Sequence, residues 1–266
     1  MENGMDNYYL AIAYILAGIV GLCVGSFLNV VIYRVPKGMS IASPGSHCTS
    51  CGYELRWYDN IPVISYLILG GKCRKCKSHI SFRYTAVEIA NAALWVLCVH
   101  LFFKESVWLA CIYALVFSVF ICIFCIDLEH KLIFDRFQIM LLVLAIVSIF
   151  FDKSFGWLSH LIGGAIGFVL FFLVGWVFEK VCKREGLGGG DVKLALVAGL
   201  LLGWERLLLS LIIATVPAAI IMSVATRGKE GEEREFPFAP FLIIGFSVAI
   251  CFGTQILRWY LSLLGL

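Results

Sequence analysis

The sequence predicts an all-α polytopic membrane protein of about eight transmembrane helices, with a small polar module between the first and the second. Three observations predict it. The 266 residues are 61% hydrophobic and only 15% charged, with a mean hydropathy of +0.93. A soluble domain of that size cannot cover so much apolar surface, so lipid must solvate most of it. Apolar runs of roughly 20 residues, enough to cross a hydrocarbon core as a helix, recur along the chain. All but four of the 21 Lys and Arg fall in alternate connections between those runs, the bias that sets membrane orientation.

The first run, 8–33, follows MENGMDN, which lacks a basic residue, and no small-residue cleavage site comes after it. It reads as a retained helix rather than a removed signal. Residues 34–84 form the only sizeable polar segment, too small to hold a hydrophobic core without a staple. The remaining apolar runs are 85–103, 107–126, 137–151, 157–179, 191–204, 206–226 and 239–263. Of these, 137–151 and 191–204 are short for a crossing. RGKEGEEREF (Arg227 to Phe236) reads as a solvated, mobile loop.

With the N-terminus outside, 34–84, 127–136, 180–193 and 227–238 become cytoplasmic, and only Lys104, Lys153, Arg206 and Arg258 remain outside. The basic residues thus serve topology and lipid headgroups, and no nucleic acid partner is expected. Sequence repeats and low-complexity tracts are absent.

HCTSCGYEL carries Cys48 and Cys51, and GKCRKCKSH carries Cys73 and Cys76. The spacing C-x2-C-x21-C-x2-C predicts a four-thiolate zinc site, each tight turn presenting two sulfurs. A reducing cytoplasmic loop disfavours two disulfides. Four protein ligands leave no open position, so the zinc is expected to fold the loop rather than perform chemistry. His47 and His79 flank the knuckles and are read as bystanders. Cys122 and Cys125 repeat the C-x2-C spacing inside an apolar run, where they read as packing residues.

Two aspartates sit at the ends of apolar runs, Asp127 in CIDLEHKLIFD and Asp191 in GLGGGDVKLA. An ionisable group at the bilayer edge is costly and is a functional candidate by default. Both fall on the cytoplasmic side in this topology. Held close together, two carboxylates cannot both ionise, and the pair would share a proton. The ionised member can then activate water while the neutral one polarises a carbonyl, which is aspartic peptide hydrolysis. The side-chain-free run Gly188-Gly189-Gly190 would let the backbone approach an extended substrate and adopt positive φ. Asp135 is a second possible partner for Asp127, or a helix cap, and Lys193 and His130 could tune the pair or meet headgroups. A cation or proton relay in a transporter would also use two such carboxylates, although no polar path continues to the other side. A methyltransferase without peptidase activity is the third reading; no glycine-rich cofactor fingerprint of the soluble kind is visible.

The chain resembles the type IV prepilin peptidase family (prepilin leader peptidase/N-methyltransferase) over nearly its whole length. GLCVGSFLNVVIYRVP (Gly21 to Pro36), WYDNIPVISYLILGGKCRKC (Trp57 to Cys76), ISFRYTAVE (Ile80 to Glu88), the two aspartate motifs and FPFAPFL (Phe236 to Leu242) carry the resemblance. It implies a GxGD aspartic endopeptidase, related in chemistry to presenilin and archaeal preflagellin peptidases. Asp127 and Asp191 would be the catalytic pair, Gly188 to Gly190 would lie near substrate, and Cys48, Cys51, Cys73 and Cys76 would bind the metal. The substrates would be prepilins or pseudopilins, cut after Gly at the end of a short basic leader. N-methylation of the new N-terminus, with S-adenosylmethionine as donor, would follow. The implied location is the bacterial cytoplasmic (inner) membrane, with the active site facing the cytoplasm. Residues 1–33 would then be the first transmembrane helix, 34–84 the zinc module, and 85–266 a seven-helix membrane aspartic peptidase domain. The family commonly has Ile-Pro-Asp where this chain has Ile133-Phe134-Asp135, so a proline constraint is lost there.

Overall fold

The computed structural model describes residues 2–152, 154, 156–183, 187–225 and 237–263; the charged run 227–236, read above as a loop, lies outside them. Nine α-helices are found among the described residues: α1 (Glu2–Arg34), α2 (Ile64–Ile68), α3 (Phe82–Phe102), α4 (Val107–His130), α5 (Asp135–Ile149), α6 (Trp157–Cys182), α7 (Gly189–Leu202), α8 (Trp204–Ala225) and α9 (Ala239–Leu263). No β-strand occurs among these residues; the only extended pairing is two isolated antiparallel bridges, His47 with Glu54 and Lys72 with His79.

Each apolar run of the sequence has become a helix, and the molecule is an all-α polytopic membrane protein. Among the described residues, six helices are long and apolar enough to cross a bilayer: α1 from Tyr8, α3, α4, α6, α8 and α9. The two short runs form α5 and α7, of 15 and 14 residues, or about 22 and 21 Å of helix. A hydrocarbon core is about 30 Å thick, so neither crosses it alone.

The chain divides into two compact units, Met1–Cys122 and Ile123–Leu266, with the boundary inside α4. In the first unit, α3 packs on α1 at Gly21, where an added Cβ would lie 2.7 Å from the Ala92 Cα. Close backbone approach of this kind drives helix association in lipid, where burying apolar surface brings no gain. Asn91, fully buried, donates to the Gly21 carbonyl at 2.7 Å. The Ser118 hydroxyl donates to the Asn91 side-chain oxygen at 2.8 Å and accepts from the Trp95 indole at 2.9 Å. One satisfied polar network therefore joins α1, α3 and α4.

In the second unit the tightest contact is α6 on α7. A Cβ on Gly163 would collide with the Gly199 carbonyl, and one on Gly199 with the Gly163 carbonyl. Buried His160 reinforces the contact by donating from Nδ1 to the Leu200 carbonyl at 3.0 Å. At the start of α8, Arg206 donates to Asp152, in the connection before α6, at 2.6 Å; both side chains are buried. Burial alone would raise the Asp152 carboxyl, but the Arg206 charge and hydrogen bond outweigh it and hold the group below the usual carboxylate range.

This pair yields the first prediction. Arg206→Met leaves an uncompensated buried carboxylate and should lower stability by about 3–5 kcal/mol. Asp152→Asn combined with Arg206→Met should restore much of the loss. Thermal unfolding in detergent reads both. Because the Asp152 value is depressed in the folded state, its contribution should be complete above about pH 3.9, the unfolded-state value, and fade as pH falls through the folded value.

Candidate active site

α4 is apolar until Ile126 and then turns polar with Asp127, Glu129 and His130. Lys131 ends it in the left-handed region, at φ 54°, while its N–H still bonds the Asp127 carbonyl at 2.9 Å. Asp127 itself is only 5% exposed. α7 starts after Gly188, which is extended at φ −64° and ψ 140°, and Asp191 lies in its first turn, where a helix N-terminus favours negative charge.

The structure brings these two carboxylates together: the charge of Asp127 is felt directly at Asp191. Each carboxylate is held by a backbone N–H, Asp127 by that of Ala239 at the start of α9 and Asp191 by that of Gly188. Each also keeps one buried oxygen, Asp127 Oδ2 and Asp191 Oδ1, without a hydrogen-bond partner among the described residues. Buried polar atoms are ordinarily paired, so each of these oxygens keeps the capacity to accept a further hydrogen bond.

Asp135, weighed above as a partner for Asp127, instead accepts from Lys193 at 2.6 Å. That ion pair is exposed, and such pairs contribute about 0–1 kcal/mol. It ties α5 to α7 without entering the carboxylate pair. Phe134, at the family's proline position, has φ −79° as the N-cap of α5, within the range that proline itself imposes. The glycine run departs from expectation in one respect: none of Gly188, Gly189 and Gly190 has positive φ. Gly190 is confined by packing instead, since a Cβ there would lie 3.0 Å from the Ile133 Cβ.

Sequence reading missed two contributors. One is the Ala239 N–H, a backbone group that no side-chain motif can announce. The other is Gln138, in the first turns of α5, which donates to the Gly190 carbonyl at 2.7 Å. A polar residue on the buried side of an otherwise apolar helix was the available signal.

In the first unit, the Sγ atoms of Cys48, Cys51, Cys73 and Cys76 all lie within 4.8 Å of one another. Sulfurs about 2.3 Å from a tetrahedral zinc are about 3.8 Å apart, and Cys48 Sγ lies 3.8 Å from Cys76 Sγ. The donor set therefore fits a metal ion. The two knuckles are built alike: the Gly52 N–H bonds the Cys48 carbonyl at 2.9 Å and the Lys77 N–H bonds the Cys73 carbonyl at 3.0 Å, with Gly52 at φ 69° and Lys77 at φ 59°. Backbone N–H groups of Ser50 and Cys51, with the Ser78 hydroxyl, bring the Cys48 thiol down to about 6; Ser78 likewise lowers Cys76. Such donors favour thiolates at these two positions, the form that binds metal; at Cys51 the Tyr53 N–H also favours the thiolate, but burial and the neighbouring thiols outweigh it and push the group up to about 11. His47 and His79 are outside this ligand group. Asp59, buried, accepts from Arg74 at 2.6 Å and from Tyr53 at 3.2 Å, pinning the short 3-10 helix Trp57–Asn60 to the second knuckle.

Beside the module is a cavity of about 390 Å³, with Asn29, Arg34, Tyr84 and Glu88 among its walls. Glu88 accepts from the Val63 N–H at 2.8 Å and so secures a residue held at φ 61°, a strained conformation for a β-branched side chain.

Residues 19–102 match the bacterial peptidase A24 N-terminal domain, and residues 114–223 match the type IV leader peptidase family. A prepilin leader peptidase/N-methyltransferase of Pseudomonas aeruginosa is 34% identical over 290 residues, covering 97% of this chain and 98% of the relative. The protein of the same name from Dichelobacter nodosus is 36% identical over 267 residues, covering 90% and 91%. That of Myxococcus xanthus is 35% identical over 236 residues, covering 88% and 70%. No solved structure gives a significant match. Matched in both its halves, and aligned nearly end to end with such relatives, the chain belongs to the type IV leader peptidase family.

Proposed function

We propose that the chain is a membrane aspartic endopeptidase that removes the leader of type IV prepilins or pseudopilins, and that it then N-methylates the new N-terminus. The observation that supports the peptidase reading is that Asp127 and Asp191 lie near enough for the charge of one to act on the other, each with a buried oxygen lacking a partner among the described residues. One carboxylate is ionised and takes a proton from a water molecule between them. The other is protonated and donates to the carbonyl oxygen of the scissile bond. Water adds to the carbonyl carbon, the C–N bond breaks, and the departing amine takes up a proton from the pair. The N–H groups of Ala239 and Gly188 hold the two carboxylates in place through these proton transfers.

The Lys/Arg distribution supports an outside N-terminus, so that the aspartates face the cytoplasm of a bacterial inner membrane. A prepilin presents its scissile bond at the same depth, between a polar leader and an apolar helix. On this reading residues 1–33 are the first transmembrane helix, 34–84 the zinc module and 85–266 the peptidase domain. Cys48, Cys51, Cys73 and Cys76 would hold Zn²⁺, which when bound supplies a tetrahedral cross-link and no catalytic position. S-adenosylmethionine is the methyl-donating co-substrate; the names of the relatives support the methylation.

Three outcomes test this reading. Asp127→Asn and Asp191→Asn should each abolish prepilin cleavage in detergent or vesicles, by at least about a thousandfold, while the thermal transition persists; cutting retained by both variants removes the mechanism. Metal analysis of chelator-free protein should find one zinc per chain, and Cys48→Ser with Cys73→Ser should lose it and lower the stability of the loop. Incubation of cleaved pilin with labelled S-adenosylmethionine should place label on the new N-terminus, and unlabelled pilin would confine the enzyme to proteolysis.

A further inference from the structure

Gln138 is only 4% exposed, although it lies in the first turns of α5, next to a region of polar surface. Its amide orientation is fixed chemically. The Gly190 carbonyl can only accept, so the NH2 group must face it, at 2.7 Å. The side-chain carbonyl then points the other way, and Oε1 is buried without a partner among the described residues. Unpartnered buried side-chain atoms are rare among these residues, and three of the four are Oε1 of Gln138, Oδ2 of Asp127 and Oδ1 of Asp191.

Gln138 is bound to the residue immediately before Asp191, so its oxygen belongs to the same locality as the carboxylates. The carboxylate oxygens need a water and a proton, which the peptidase cycle supplies. An amide oxygen neither gives nor takes a proton near neutral pH; what it needs is a donor, and an extended peptide brings backbone N–H groups.

We propose that Gln138 is a substrate-positioning residue: its NH2 group fixes Gly190, and its Oε1 accepts one backbone N–H of the substrate strand beside the scissile bond. The inference rests on the peptidase reading above. It gives the short helix α5 a part in the reaction, as the element that registers the substrate against the first turn of α7. The bond also accounts for a polar group that would otherwise be a cost to burial.

The test uses the full-length chain in detergent and synthetic prepilin peptides in which successive backbone amides around the cleavage point are replaced by esters, removing one N–H at a time. With the wild-type chain, one ester position should lower kcat/KM about three- to tenfold, the range of one hydrogen bond. Gln138→Met should cleave the all-amide peptide more slowly and show no further loss at that ester position, a non-additivity that marks direct contact. Gln138→Leu also removes the acceptor oxygen; it serves if the Met variant does not fold and should likewise show no further loss at that ester position. Equal ester penalties in wild type and Gln138→Met, or wild-type rates in Gln138→Met, overturn the inference while leaving the peptidase reading intact. A wild-type chain that cuts no prepilin peptide overturns both.

Discussion

The placement of Asp191 depends on a contact that contains no side chain at all. α7 reaches its position because Gly163 and Gly199 let its backbone press directly on that of α6, and in lipid such van der Waals contact is a principal force between helices. Once α7 is seated there, the first turn of a 14-residue helix has little freedom left. The Gln138 bond and the Ile133 contact at Gly190 then fix the remaining rotation. Asp127 is delivered from the other direction, at the polar end of a 24-residue apolar helix. Two carboxylates distant in sequence therefore meet through helix packing rather than through a loop, the arrangement expected of a site that must keep its geometry in a fluid solvent.

Elsewhere the chain is careful with buried polarity. Asp152 is paired with Arg206, Asn91 with Ser118 and the Gly21 carbonyl, and Asp59 with Arg74. Each of these would be expensive if left alone in a low-dielectric surrounding. Against that background, the unsatisfied oxygens of Asp127, Gln138 and Asp191 stand apart. The fourth such atom among the described residues, Nε2 of His160, lies apart from them at the α6–α7 contact.

Much of the architecture was legible in the residues, because period, length and hydropathy act locally. All the apolar runs became helices, and the brevity of 137–151 and 191–204 carried over into α5 and α7. The cysteine spacing announced a cluster whose sulfurs do converge, and the motifs around Asp127 and Asp191 identified the residues that meet. Pairings between distant segments were not legible. Asp135 had looked like a partner for Asp127 because the two are near in sequence, but the turn after His130 sends it to Lys193. Arg206 had been only a residue on the outer side, whereas it is half of a buried ion pair. Gln138 carried no motif, and FPFAPFL, which contains Ala239, said nothing of its backbone N–H, since the importance of both arises only from what the fold sets opposite them. The glycine run was read for conformational freedom, and its value at Gly190 is clearance from Ile133.

The outward face of α5 has a consequence for the surrounding lipid. Ile139, Met140, Val143, Ile146, Val147 and Phe150 are exposed, and the stripe they form is about 17 Å tall. Acyl chains beside it must shorten, tilt or disorder to match, at a fraction of a kcal/mol for each ångström of mismatch. Membranes built from shorter or more disordered fatty acids accommodate this flank at lower elastic cost than thick, ordered ones, so the composition of the host bilayer becomes part of the protein's working environment.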